Sequence, residues 1–112
     1  MKLVSAVIRP EQLEEVRRAL GFAYVTGLTV TEVLGFGRQR GHANLYRGAE
    51  YRIEFRPKLL LEMAVLERDV DAVIAAILRA GASGEIGDGK IFVRTLENVI
   101  RIRTGEQGPD AL

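Results

Sequence analysis

Gly84-Glu85-Ile86-Gly87-Asp88-Gly89-Lys90 sets two glycines and a lysine at the G-x-x-x-x-G-K spacing of a phosphate-binding loop. Ile91 stands where that motif needs a Mg²⁺-binding hydroxyl, and Ile91-Phe92-Val93 reads as a strand. A true phosphate loop opens a helix, so that nucleotide-hydrolase fold is excluded. Successive glycine N–H groups can still form an anion nest, with Lys90 as a point charge, while a plain turn before a strand satisfies the same spacing. Gly35-Phe36-Gly37-Arg38-Gln39-Arg40-Gly41 follows a strand but opens no helix, so it is not a dinucleotide fingerprint. It could present backbone donors beside Arg38 and Gln39, or be a glycine-rich turn. Arg101 and Arg103 lie two apart on an expected strand, which aims both guanidiniums from one face, either at anions or at solvent along an edge. No catalytic set emerges: the one histidine, His42, has no second histidine to work with, and Asp88 could be a base or, more simply, a turn aspartate.

The elements that would carry these groups follow from periodicity. Residues 3–9 read as a short buried strand. Pro10 then opens a helix in which Leu13, Val16 and Leu20 share a face, with acidic residues early, arginines late and Gly21 as a stop. Residues 25–36, rich in β-branched side chains, and 58–66 read as strands. The spacing predicts a helix over 69–80, with Asp69 as N-cap and Gly81 ending it. Residues 90–96 and 99–103 read as two further short strands. The order is β-α-β, a long insertion, then β-α-β, an α+β chain of the ferredoxin-like split βαβ (βαββαβ) type.

At 112 residues, 47% of them hydrophobic and 28% charged, the chain is one globular domain. The absence of cysteine excludes disulfides, thiolate chemistry and cysteine zinc sites. No apolar run approaches the roughly 20 residues of a membrane span, and the first ten residues carry no signal peptide, so a cytoplasmic location is expected. Sixteen basic against fifteen acidic residues suggest no polyanion partner overall. That balance hides a local imbalance. Residues 36–58 hold six basic residues (Arg38, Arg40, Arg47, Arg52, Arg56, Lys58) and only Glu50 and Glu54 as acids. Such an arm suits phosphate, a carboxylate ligand or an acidic protein face, and a solvated loop is the bland alternative. Aromatic residues do not interleave with basic ones on the strands, which argues against nucleic acid.

Taken together, Thr29-Val30-Thr31-Glu32-Val33, Gly35-Phe36-Gly37-Arg38-Gln39, Gly41-His42, Tyr46 to Tyr51, Ile86 to Val93 and Val99 to Glu106 closely resemble the PII nitrogen-regulatory signal proteins. The resemblance runs from the first strand to about Gln107. It implies a single signalling domain in a compact homotrimer, with a T-loop at about 37–55, a B-loop at about 82–90 and a C-loop at about 102–108. It further implies nucleotide sites in clefts between subunits, where ATP and ADP compete. By resemblance, Thr29 contacts adenine, Ala64 lines its pocket, and Gly87, Asp88 and Gly89 wrap the nucleotide with backbone groups. Lys90, Arg101, Arg103 and Arg38 hold phosphates. Gln39 helps to coordinate Mg²⁺ and 2-oxoglutarate, beside Gly37 and Gly87, and Lys58 pairs with a 2-oxoglutarate carboxylate. Tyr51 matches the tyrosine that many members have nucleotidylated by a uridylyltransferase-type enzyme.

The implied role is regulatory and not enzymatic. The expected partners are an ammonium transporter, which would recruit the protein to the membrane, glutamine synthetase adenylyltransferase and related nitrogen-metabolism targets. The chain departs from the family pattern in places. Ala49 replaces a serine phosphorylated in some relatives, Glu85 a basic residue, Ala64 a larger apolar one, and Glu11 and Leu66 a common Phe and Pro. Residues 22–26 also differ from the usual run.

Overall fold

The computed structural model describes residues 1–21, 24–37 and 54–112. Alternation shapes its first strand, β1 (Lys2–Ile8): Val4, Ala6 and Ile8 are buried on one side, while Leu3, Ser5 and Val7 take the other. Pro10 starts a 3₁₀ turn that feeds α1 (Leu13–Leu20), where its fixed φ and missing N–H cost nothing. Val16 and Leu20 carry the buried stripe of α1. Gly21 closes the helix at φ 59, and its N–H donates to the Arg17 carbonyl at 3.2 Å.

Strand β2 is Thr29–Gly35, shorter than the expected 25–36, because the chain bends through residues 24–28, where Val25 turns into the core. Strand β3 runs Arg56–Val65 and buries Leu59, Leu61, Met63 and Val65 in strict alternation. Helix α2 (Val70–Gly81) follows a 3₁₀ turn and buries Val73, Ala76 and Ile77. Two expectations for this helix are corrected. Asp69 occupies the N-cap position but makes no side-chain cap bond, because the preceding turn already holds it in a helical conformation. Gly81 is the last helical residue rather than a left-handed stop, and Ala82 caps the end through its N–H to Leu78 at 3.3 Å.

Strand β4 is Ile91–Thr95. The sheet order is β2-β3-β1-β4 with every neighbouring pair antiparallel, the ferredoxin-like arrangement expected from the element order. Both helices pack on the face that carries Val4, Leu61 and Met63, and they contact each other there. In register on the opposite face stand Leu3, Val7, Leu60, Ala64, Val33 and Phe92. Amid them Ser5, only 2% exposed, bonds to Glu62 at 3.3 Å and accepts from Arg94 at 3.2 Å. Ser5, Glu62 and Arg94 thus satisfy one another across three strands.

The predicted strand at 99–103 is not a strand. The chain doubles back on itself: Gly108 N–H donates to Val99, Arg101 N–H to Glu106, and Gly105 N–H to Arg101 at 2.7 Å. Gly105 and Gly108 take φ 76 and 69, which let the turn close. The Ile-Arg-Ile-Arg alternation that suggested a strand carries no matching burial, since Ile102 is 99% exposed. Arg101 and Arg103 consequently do not share a strand face. Arg101 lies in the doubled-back ladder and Arg103 in its turn.

Candidate functional site

The glycine-rich segment between α2 and β4 forms a tight loop around one carboxylate. Asp88 accepts from the Ser83 N–H at 2.8 Å, the Ser83 hydroxyl at 2.6 Å, the Gly84 N–H at 2.9 Å and Arg9 Nε at 3.0 Å. The Ser83 hydroxyl, the Ser83 and Gly84 amides and Arg9 hold the Asp88 carboxyl well below the usual carboxylate range, against an opposing effect of burial. Arg9 also donates through Nη2 to the Ile86 carbonyl at 2.7 Å, and Lys58 Nζ donates to the Gly87 carbonyl at 2.6 Å. Two cations therefore converge on Gly87. A Cβ there would lie 2.9 Å from Arg9 Nη2 and 3.5 Å from Lys58 Nζ, and the residue sits at φ 112, so only glycine fits without strain. Gly89 is confined differently: a side chain would run into the Val7 carbonyl. Val7 N–H donates to the Lys90 carbonyl at 3.0 Å, tying the loop's exit to the central strand. The Lys90 side chain is exposed beside this junction and makes no hydrogen bond among the described residues.

A second cluster lies at the other end of the sheet. An open cleft of about 260 Å³ is lined by Thr26, Gly27, Ala64, Val99, Arg101 and Leu112. Its size suits part of a ligand, such as one ring system, better than a whole drug-sized molecule. Thr29 pairs with Glu62 on the same side of the sheet, next to Ala64. Arg101 is already engaged: Nη1 donates to Glu106 at 2.9 Å and Nη2 to the Leu112 carbonyl at 2.8 Å. A further hollow, about 470 Å³ between the end of α1 and residues 25–28, gathers none of the predicted site residues, and its Arg17 and Arg18 pair with Glu14 and Glu15.

The predicted residues therefore separate into two groups. Lys58, Gly87, Asp88, Gly89 and Lys90 meet at one end, and Gly37 leaves β2 at that same end. Thr29, Ala64 and Arg101 gather at the other, with Arg103 nearby in the turn. Lys58 and Ala64 are six residues apart on β3, or about 20 Å at strand rise. Arg38, Gln39, His42, Tyr51 and most of the predicted T-loop lie outside the described residues. Arg9 and Ser83 were missed from the sequence. The one hint was that Arg9 continues the odd-numbered face of β1 toward position 58. Among the described residues no group of three or more His, Cys, Asp or Glu is placed to hold a metal, and no helix is long and apolar enough to cross a membrane.

Fold and site together define a ferredoxin-like α+β domain with a cation-flanked glycine loop at one end of its sheet and a small mixed cleft at the other. Comparison with known proteins gives that class its family. The family described as nitrogen regulatory protein P-II matches residues 1–106. Over all 112 residues, and the full length of each relative, the chain is 54% identical to the nitrogen regulatory protein P-II of Pasteurella multocida (strain Pm70). It is likewise 55% identical to the nitrogen regulatory protein GlnK of Escherichia coli (strain K12) and 54% to the P-II protein of Rhizobium meliloti (strain 1021). The chain belongs to the P-II nitrogen regulatory protein family.

Proposed function

We propose that this chain is a nitrogen-, energy- and carbon-status signal transduction protein that binds ATP or ADP together with 2-oxoglutarate and regulates target proteins. The observation that carries the reading is the loop at 84–90, where two cations converge on Gly87 and its N–H has no acceptor among the described residues. Arg9 is paired with Asp88 at 3.0 Å, but Lys58 and Lys90 have no acidic partner among the described residues, and such a site favours phosphate or carboxylate through an unspent amide donor and that positive charge. The roughly 20 Å between the two residue groups supports a shared site. A nucleotide spanning both groups would bridge two copies of the chain, with the phosphate loop of one facing the Thr29–Ala64–Arg101 cleft of the next. The open face of the sheet, where Leu3, Val7, Leu60, Val33 and Phe92 surround the Ser5–Glu62–Arg94 network, suits the mixed burial of an interface between copies of the chain.

In this reading the chain is one signalling domain with a T-loop at about 37–55, a B-loop at about 82–90 and a C-loop at about 102–108. Thr29 and Ala64 receive the base, and Gly87, Asp88 and Gly89 offer backbone groups. Lys90, Arg38, Arg101 and Arg103 neutralise phosphates. Gln39 would hold Mg²⁺, which supplies charge neutralisation between the phosphates and 2-oxoglutarate. Gly37, Gln39, Lys58 and Gly87 receive the 2-oxoglutarate. Lys58 spends one of its three N–H donors on the Gly87 carbonyl and has others for a carboxylate, which links the two ligands through one side chain.

Each ligand combination favours one T-loop state by its differential affinity for that state. That state is read by an ammonium transporter, glutamine synthetase adenylyltransferase or another nitrogen-metabolism target. Tyr51 is the position for nucleotidylation by a uridylyltransferase-type enzyme, which would add a bulky anion to the docking tip. The protein works in the cytoplasm and reaches the membrane by docking to the transporter. The test is calorimetric titration of ATP with Mg²⁺, with and without 2-oxoglutarate, on wild type and Gln39→Ala. The reading expects 2-oxoglutarate to bind only with ATP present and only when Gln39 is intact. ATP binding without any 2-oxoglutarate binding would remove the carbon-sensing part, and no ATP binding would remove the whole reading.

A further inference from the structure

The loop that carries the proposed function is shaped by side chains that the function does not itself use. A trans peptide points its carbonyl and its N–H in opposite directions. Arg9 holds the Ile86 carbonyl and Lys58 holds the Gly87 carbonyl, so the amides on those same two peptides, Gly87 N–H and Asp88 N–H, turn away from the cations, and the Asp88 N–H is taken by the Glu85 carbonyl at 3.3 Å. That leaves the Gly87 N–H, set by Arg9's hold on the Ile86 carbonyl, with no acceptor among the described residues. Asp88 could be taken for a ligand or a Mg²⁺-binding group, but its carboxylate offers about four acceptor positions and four donors already fill them. Three of those donors depend on one residue and its neighbour: the Ser83 N–H, the Ser83 hydroxyl and the Gly84 N–H. The Ser83 oxygen also accepts from the Glu85 N–H at 3.2 Å, closing the first turn of the loop.

We propose that Ser83 and Arg9 are positioning residues which, through the Asp88 carboxylate and the Ile86 carbonyl, hold the Gly87 amide in the orientation that receives an anionic ligand. The inference rests on the nucleotide reading of this loop. Neither the Ser83 hydroxyl nor the Asp88 carboxylate touches the ligand. They fix the entry and the exit of the loop against each other and against β1, so that phosphate meets donors already aimed.

The test measures two properties of the full chain: amide hydrogen exchange at Gly84, Glu85 and Asp88 without ligand, and ATP affinity in Mg²⁺ by calorimetry. In Ser83→Ala the exchange should quicken and the ATP affinity fall, each by about tenfold, as expected for one lost charge-assisted bond. The urea midpoint should hardly move, because the loop is exposed and the core is intact. Ser83→Thr, which keeps the hydroxyl, should restore both. A Ser83→Ala protein whose loop exchanges as slowly as wild type, or whose loop loosens while ATP affinity stays within about twofold, overturns the inference and leaves the functional reading standing. Failure of the wild-type protein to bind ATP overturns both.

Discussion

Replacing Gly89 by alanine tests whether close approach of the loop to β1 is what demands glycine there. The new methyl group would run into the Val7 carbonyl, which belongs to the central strand β1 and is held on its other side by the pairing of Val7 with Leu60. The strand cannot yield, so the loop must. Its exit would have to give up the Val7 N–H bond to Lys90, now 3.0 Å long. That bond is worth about 1 kcal/mol, and forced overpacking adds about 1–3, for a loss of about 2–4 kcal/mol.

Urea unfolding followed by circular dichroism, at one protein concentration, measures this loss. With a urea slope of about 2 kcal/mol/M the midpoint should fall by about 1–2 M. Two further glycines calibrate the result. Gly27→Ala meets nothing within 4 Å and has no left-handed φ, so its midpoint should stay put or rise slightly. Gly84→Ala also meets open space but sits at φ 84, so it should lose only about 1–2 kcal/mol. A Gly89→Ala protein as stable as Gly27→Ala would refute the reasoning.

Leu61, fully buried in β3, should cost about 3–4 kcal/mol when cut to alanine, read in the same urea assay with an unchanged slope. Lys58→Met should weaken 2-oxoglutarate binding by about 10–100-fold while ATP affinity changes less than about threefold, checked by calorimetry with ATP saturating. The Asp88 pKa is lowered on folding, so its contribution is complete above the unfolded carboxylate value near 4 and fades as pH falls below it. Acid unfolding should therefore steepen below about pH 4 in wild type, and Asp88→Asn should be less stable above that pH and show a shallower acid slope.

The helices and four of the strands were readable because each buries a regular stripe: Val16 and Leu20, Val73 and Ile77, or the 59, 61, 63, 65 series. The failure at 99–103 has the same root. Ile100 and Ile102 alternate with arginines as a half-buried strand would, but nothing buries them, and two left-handed glycines downstream let the chain turn back instead. Pattern records side-chain type, and here it outran burial. The loop at 84–90 announced itself through glycine and lysine spacing. Arg9 could not, since its partners Ile86 and Asp88 lie 77 and 79 positions away and meet it only through the pairing of β1 with its neighbours. Nor could spacing show that Lys58 and Ala64, close in sequence on one extended strand, would stand at opposite ends of the sheet.

That last separation bears on how such a protein could diversify. On the proposed assembly each chain owns half of two sites and the whole of none. A freshly made chain would then be silent until it found its neighbours, and the threshold for response would be set by association as much as by metabolite level. Where a cell makes two related chains, each mixed interface would join the phosphate loop of one to the base cleft of the other. A handful of sequences would then yield a graded family of sensitivities without a new fold or a new pocket.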